Sequence, residues 1–334
     1  MSITLMDCTL RDGANVVGKG FSAEITDMVL DGLTACHVPI IEFGNAGGIG
    51  AYEVAGFTAA ETDATYLQIA QKYLNRGSKL GMFLNAKRYR EKNVALAKES
   101  GLDFLRVGAD AGDADISLTA IKDIKAGGLN AYYSLMKAYL LTPEELAEES
   151  KRLEDAGLDQ VTIMDSAGTM LPDQVARYTE ALKKAVSIPV AFHCHNNLGL
   201  SAANAMAAYQ NGADILDCGL MGMARSAGNL ATEICVAMMR RCGEMKDIDL
   251  FAMLDFIDDR LMPAMEQHNY HNPVTPLDLI LGFSGCHSSF MKKFKAAATE
   301  KNVSLYKLIV AVSAVNQKSP SDELIAQTAD KLLG

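Results

Sequence analysis

The stretch Phe192-His193-Cys194-His195-Asn196-Asn197 carries two histidines two positions apart. The residues before it, Ile188-Pro189-Val190-Ala191-Phe192, are small, branched or aromatic and read as a short buried strand. Residues two apart on a strand share a face, so His193 and His195 project side by side and Cys194 turns away. Such a pair can simply hydrogen-bond to carbonyls at a strand end. Two neutral imidazoles on one face are also half of a divalent metal site. The start of the chain offers the rest. Leu10-Arg11-Asp12-Gly13 follows a strand-like segment, and Asp12 with His193 and His195 makes a two-histidine, one-carboxylate set with open positions. That set suits Mn²⁺, Mg²⁺, Co²⁺, Fe²⁺ or Zn²⁺, and non-haem iron oxygen chemistry is one use of it. Arg11 points elsewhere. A cation beside a metal suits an anionic, oxygen-rich ligand such as a chelated keto acid, and the two together stabilise an enolate.

These residues lie far apart in sequence, so the fold must gather them. Strand-like runs begin near Ser2, Val38, Lys79, Phe104, Asn130, Gln160, Ile188 and Ala213, with helical sequence between them. Ser22 and Thr142-Pro143-Glu144-Glu145 are helix starts by their capping residue, proline and first-turn acids. Ser100-Gly101-Leu102-Asp103, Ala156-Gly157-Leu158-Asp159 and Asn211-Gly212-Ala213-Asp214 place a glycine just past a helix, where a C-cap wants one. Eight such units predict a (β/α)8 TIM barrel over residues 1–245, with a doubly wound sheet as the alternative. Residues 246–334 read as a C-terminal helical extension. Barrel active sites form at the C-terminal ends of the strands. Arg11, Asp12, Asp165, His193, His195 and Asn229 all sit there, and Glu42, Arg106 and Ser134 are candidate substrate contacts on strands two, four and five. For Glu42 and Arg106 a salt bridge inside the barrel is an equal alternative. For Asp165 the choices are orienting His193 or capping its own loop.

The net charge is −10 and the pI about 5.1, which argues against a nucleic-acid surface. The one basic run, Lys87-Arg88-Tyr89-Arg90-Glu91-Lys92, reads as a solvated helix start. The loop Asn45–Gly50 is glycine-rich but lacks the Gly-Lys-Ser/Thr of a phosphate loop. Seven dispersed cysteines with no C-x-x-C pair fit a reducing cytoplasm. No apolar run approaches the roughly 20 residues of a membrane span, and no secretory signal is read. His37 reads as a capping or core residue, and His268 and His271 as parts of a structural loop.

Three motifs carry a family resemblance. Asp7-Cys8-Thr9-Leu10-Arg11-Asp12-Gly13, His193-Cys194-His195-Asn196-Asn197-Leu198-Gly199 and Gly228-Asn229-Leu230-Ala231-Thr232-Glu233 resemble the DRE-TIM metallolyase superfamily. Asp165-Ser166-Ala167-Gly168 and Gly282-Phe283-Ser284-Gly285-Cys286-His287-Ser288-Ser289-Phe290 are most similar to its 4-hydroxy-2-oxovalerate aldolase branch. The resemblance implies carbon–carbon cleavage or formation through a pyruvate-type enolate held at a divalent ion, Mn²⁺ first, with a 2-oxo acid and an aldehyde as reactants. It implies Asp12, His193, His195 and Asn229 as ligands and Arg11 as the enolate-stabilising cation. It also implies a homo-oligomer and an aldehyde dehydrogenase partner. Two departures stand out. The branch's basic histidine is Asn15 here, an expected substrate contact, and the tyrosine of the C-terminal motif is His287. His287 is therefore the expected base, assisted by Tyr133 or Tyr139. A Claisen-type acyltransferase and a non-catalytic barrel subunit are the alternatives.

Overall fold

The computed structural model describes residues 3–54, 57–270 and 276–333. Eight parallel strands close on themselves in sequence order. They are β1 (Thr4–Asp7), β2 (Ile40–Phe43), β3 (Lys79–Asn85), β4 (Phe104–Asp110), β5 (Asn130–Met136), β6 (Gln160–Asp165), β7 (Val190–Cys194) and β8 (Ile215–Cys218). Closure is made by β1 pairing with β8, Thr4 opposite Ile215 through Asp7 opposite Cys218. The expected barrel is therefore the observed one. Helices α1 (Ala23–Ala35), α2 (Asp63–Ala70), α3 (Glu91–Glu99), α4 (Leu118–Ala126), α5 (Pro143–Asp155), α6 (Pro172–Ala185), α7 (Ser201–Gln210) and α8 (Thr232–Arg241) ring the barrel.

Local chemistry explains these boundaries. The Ser22 hydroxyl accepts from the Ile25 amide at the start of α1. Thr142 and Glu145 cap one another's backbone amides ahead of α5. Strands alternate between layers. Leu80, Leu105, Tyr133 and Val161 face the helices, while Met6, Ile40, Phe104, Tyr132, Ala191 and Ile215 fill the barrel floor.

Beyond α8 the chain does two things. Met253, Phe256, Ile257, Leu261 and Met265, in α9 (Leu250–Phe256), α10 (Met262–Glu266) and the π-helical segment between them (Ile257–Leu261), join the barrel's own core. A separate small core then forms around Leu281, Phe294, Leu308, Val312 and Ile325. It is built by α11 (Pro276–Ser284), α12 (Met291–Lys301), α13 (Leu305–Ser313) and α14 (Asp322–Lys331). This extension is pinned to the barrel mouth. The Lys137 ammonium donates to the Lys318 carbonyl at 2.9 Å, Lys318 pairs with Asp113 at 3.0 Å, and the Tyr139 hydroxyl donates to the Gly285 carbonyl at 3.3 Å. Gly282 lies so close to the β7 loop that a Cβ there would fall 2.7 Å from that of Asn197. His268 is exposed, and His271 lies outside the described residues. Among the described residues no helix is long and apolar enough to cross a membrane.

Candidate active site

The turn after β1 is a tight knot: the Cys8 carbonyl accepts from the amides of Arg11 at 3.1 Å, Asp12 at 2.8 Å and Gly13 at 3.3 Å. It swings the Asp12 carboxylate across the barrel mouth toward β7. Asp12 Oδ2 lies 3.5 Å from His193 Nε2 and 3.8 Å from His195 Nε2, with all three residues buried. Asn229, in the turn after β8, donates its amide to Asp12 Oδ2 at 2.9 Å. Gly168 holds the next loop against this cluster. Its φ is +61°, and a Cβ would meet the His195 carbonyl oxygen at 2.5 Å, so glycine is required there.

The donor set fits a divalent cation. His193 Nδ1 faces Asp217 Oδ2 at 3.2 Å, which fixes the ring proton there and leaves Nε2 as a lone pair. That Nε2 is buried with no hydrogen bond, and so is Asn229 Oδ1. Buried polar atoms left unpaired are uncommon, and here Asp12, His193 and His195 bring one ligand atom each within 4.8 Å of one another, a cradle for an ion. Burial opposes charge on His193, but the Asp12 and Asp217 carboxylates outweigh it and raise its pKa. Burial pushes the His195 pKa down to about 3, so this ring is neutral and free to ligate. Burial would also raise the Asp12 pKa, but Arg11 and the imidazoles hold the carboxyl well below its usual range. A second cluster, Cys8, His193 and Asp217, has similar spacing but is already filled. Arg106 donates Nη2 to Cys8 Sγ at 3.2 Å and Nη1 to Asp217.

Arg106 is part of a closed ring of charge. Glu42 accepts Arg11 Nε at 2.6 Å and Arg106 Nε and Nη2 at 2.8 and 2.6 Å. Arg106 binds Asp217, Asp217 binds His193, His193 faces Asp12, and Asp12 Oδ1 sits 3.2 Å from Arg11 Nη1. Arg11 Nη2 is left buried without a partner.

A cavity of about 240 Å³ opens over this ring, lined by Arg11, Asp12, His193, His195 and His287 among others. The remaining expected residues divide by what they touch. Glu42 and Arg106 do not reach the cavity; they are the interior salt bridge. Asp165 caps its own loop through the Thr169 and Met170 amides at 3.0 and 2.9 Å and forms no hydrogen bond with His193. Asn15 lies behind Asp12, donating to its carbonyl at 2.8 Å and its Oδ1 at 3.3 Å, so it braces Asp12 and does not line the cavity. Ser134 is buried below the cavity and does not line it. Tyr133 points outward to Ser117 at 3.2 Å, and the Tyr139 hydroxyl is spent on Gly285, so neither assists from the cavity. His287 does line it. Its Nδ1 accepts the Ser289 amide at 3.2 Å and faces the Ser289 hydroxyl at 2.8 Å. A backbone N–H can only donate, so the neutral ring carries its proton on Nε2. The expected base thus presents a donor. Burial, with Arg225, His195 and Lys137 nearby, pushes its pKa well below the ordinary histidine value.

Sequence reasoning missed Asp217, Arg225, Lys137 and Arg88. Asp217 had a signal: a carboxylate alternating inward with Ile215 in an apolar strand. Arg88, in a basic run whose composition suggests a solvated helix start, instead lines the cavity and donates to the Gly47 carbonyl at 3.1 Å.

The chain belongs to the HMGL-like family, whose family model matches residues 2–259. Over nearly its whole length it is similar to proteins named 4-hydroxy-2-oxovalerate aldolase. The one from Geobacillus genomosp. 3 is 32% identical over 331 residues, 99% of this chain and 97% of that protein. The one from Carboxydothermus hydrogenoformans is 33% identical over 330 residues, 99% of this chain and 97% of that protein. In fold it is similar to the carboxyl transferase domain of Rhizobium etli pyruvate carboxylase. The TM-score is 0.77 at 17% identity, covering 99% of this chain and 60% of that one.

Proposed function

We propose that the protein is a divalent-metal-dependent carbon–carbon lyase that cleaves or forms a 4-hydroxy-2-oxo acid. The observation that carries this reading is the charge count of the buried ring. Asp12, Glu42 and Asp217 face Arg11 and Arg106, three carboxylates against two guanidiniums, a net −1 once His193 gives up any extra proton in order to ligate. A divalent ion makes the ring +1, and a 2-oxo acid carboxylate restores neutrality where desolvated charge is costly. The relatives' names agree with that substrate class.

The ion would sit among Asp12, His193, His195 and Asn229 Oδ1. Mn²⁺ suits this mixed set of oxygen and imidazole donors with no thiolate. Once bound, it acts as a Lewis acid on the substrate's keto oxygen. The chain's own residues do the rest. The unpaired Arg11 Nη2 offers a hydrogen bond to the donor's oxygens and holds the negative charge that grows as C3 loses its proton. The C3 proton passes to solvent in the cavity; C3 bonds to the acceptor's carbonyl carbon, that carbonyl's π bond opens, and its oxygen takes up one proton from solvent to become the 4-hydroxyl. His287 Nε2–H supports that oxygen while it is charged. The 240 Å³ cavity is below the roughly 300–1,000 Å³ of sites for drug-sized ligands, which favours short reactants over a coenzyme A thioester.

The cytoplasm as location, a homo-oligomer and an aldehyde dehydrogenase that takes the released aldehyde remain part of the proposal on family resemblance. The direct test is pyruvate release from a panel of 4-hydroxy-2-oxo acids, before and after removal of metal by a chelator. Release restored by Mn²⁺ supports the reading, and no release from any member rejects it.

A further inference from the structure

The cavity holds more positive charge than a single 2-oxo acid can neutralise. Four cations line it: Arg11, Arg88, Lys137 and Arg225. Two are answered within the protein. Arg11 is held by Glu42 and Asp12, and Lys137 pairs with Asp110 at 3.1 Å. Arg225 makes no side-chain hydrogen bond or ion pair among the described residues, and Arg88 meets only the Gly47 carbonyl there. The electrostatic setting of the guanidiniums agrees. Arg11 and Arg106, with carboxylates in contact, are shifted upward, whereas burial shifts Arg225 downward, the Asp12 charge compensating only in part.

Position adds to the count. Arg225 follows β8, in the same turn as Asn229, and its charge is felt by Asp12, His195 and His287. It therefore shares the cavity with both the ligand cluster and the residue set against the acceptor oxygen. Arg88 follows β3, in the turn after Asn85, and reaches the same cavity. A guanidinium in a half-buried site without a counter-charge is costly unless an anion arrives with the substrate. Planar guanidiniums suit the two oxygens of a carboxylate or phosphate.

We infer that Arg225 and Arg88 form an acceptor subsite, and that the aldehyde joined to the 2-oxo acid itself carries an oxyanion, a carboxylate or a phosphate monoester. This rests on the aldolase reading above and deepens it. The donor's carboxylate neutralises the ring beneath, and the acceptor's anion neutralises the two guanidiniums above. The bond chemistry is that of the aldol step already given, with no additional oxidant or reductant.

The experiment uses the full-length protein loaded with Mn²⁺. Exchange of the pyruvate methyl protons for deuterium is measured first, because it needs no acceptor and tests the aldolase reading alone. Condensation of pyruvate is then compared for propanal, succinic semialdehyde and glycolaldehyde phosphate, with products measured by mass spectrometry. The expected result is exchange, plus kcat/KM at least tenfold higher for one or both anionic aldehydes than for propanal. Whichever of the two leads identifies the anion. Arg225→Met is expected to reduce that ratio at least tenfold, and Arg88→Met to reduce it in the same direction should the first variant fold poorly. Exchange without a preference for anionic aldehydes, or a ratio untouched by both variants, overturns the inference and leaves the aldolase reading standing. Absence of exchange overturns both.

Discussion

Asp217 shows what one side chain does at a distance from substrate. It holds the proton of His193 on Nδ1 and turns Nε2 toward Asp12, while Arg106 keeps it ionised against the pull of burial. Groups that orient a metal-binding histidine in this way typically matter by roughly 10- to 100-fold in metal affinity. Asp217→Asn is expected to weaken Mn²⁺ binding by about that factor in a titration calorimeter. Unchanged affinity would remove Asp217 from the account. His287 makes a sharper case. A donor at Nε2 can be replaced by a side-chain amide, whereas a base cannot. His287→Gln is expected to keep more than about a tenth of wild-type condensation, and His287→Ala to lose about 100-fold or more, the lower range for proton-handling residues. Equal loss in both variants would return the ring to the role of base. The sequence revealed His287 itself through its motif. It did not reveal the tautomer, because that depends on where the Ser289 amide points.

At the scale of elements, the barrel was legible because each βα unit carries local signals. Ser22 and Thr142 cap the helices they were expected to cap, and β5 runs from Asn130 to Met136 as the alternation implied. What escaped was the use of loops. The glycine-rich loop Asn45–Gly50 is tied to α2 by Asp63. That carboxylate accepts the Gly50 amide at 2.6 Å and the Asn45 side chain at 2.9 Å. Burial still dominates and raises its pKa from 3.8 to about 6. The sign follows from proton uptake. Between these values the unfolded chain ionises first while the folded chain keeps its proton, so stability falls as pH rises from about 4 to 6. A shift of about two units corresponds to roughly 3 kcal/mol. Asp63→Asn is expected to flatten this part of the stability–pH profile by up to that amount in urea unfolding. An unaltered slope would contradict the assignment. Arg88 and Arg225 were hidden for a related reason: turn residues carry no periodicity, so nothing local says which way they face.

For the whole molecule, the separation of floor, ring and mouth organises everything else. Apolar side chains fill the barrel below, a ring of opposed charges crosses its middle, and the reacting groups face a cavity above. The extension completes that cavity by bringing His287 over the mouth, anchored by the Lys318–Asp113 ion pair and by the Lys318 and Gly285 carbonyls. No spacing in the sequence forecasts this, since the contacts join residues more than a hundred positions apart. Lys318→Ala, which removes the ion pair with Asp113 and keeps the carbonyl that Lys137 bonds, is expected to lower condensation several-fold with metal affinity unchanged, because the anchor serves the acceptor side alone. Parallel loss of metal would show that the extension supports the barrel as well. The central claim is simpler: the carboxylate after β1 and the imidazoles of β7 close on one cation. Elemental analysis of the dialysed, Mn²⁺-loaded protein tests it most directly. About one ion per chain in the wild type, and none retained by Asp12→Asn or His195→Ala of intact fold, is the result expected. A wild-type protein that retains no divalent ion, or variants that hold it as firmly, would contradict it.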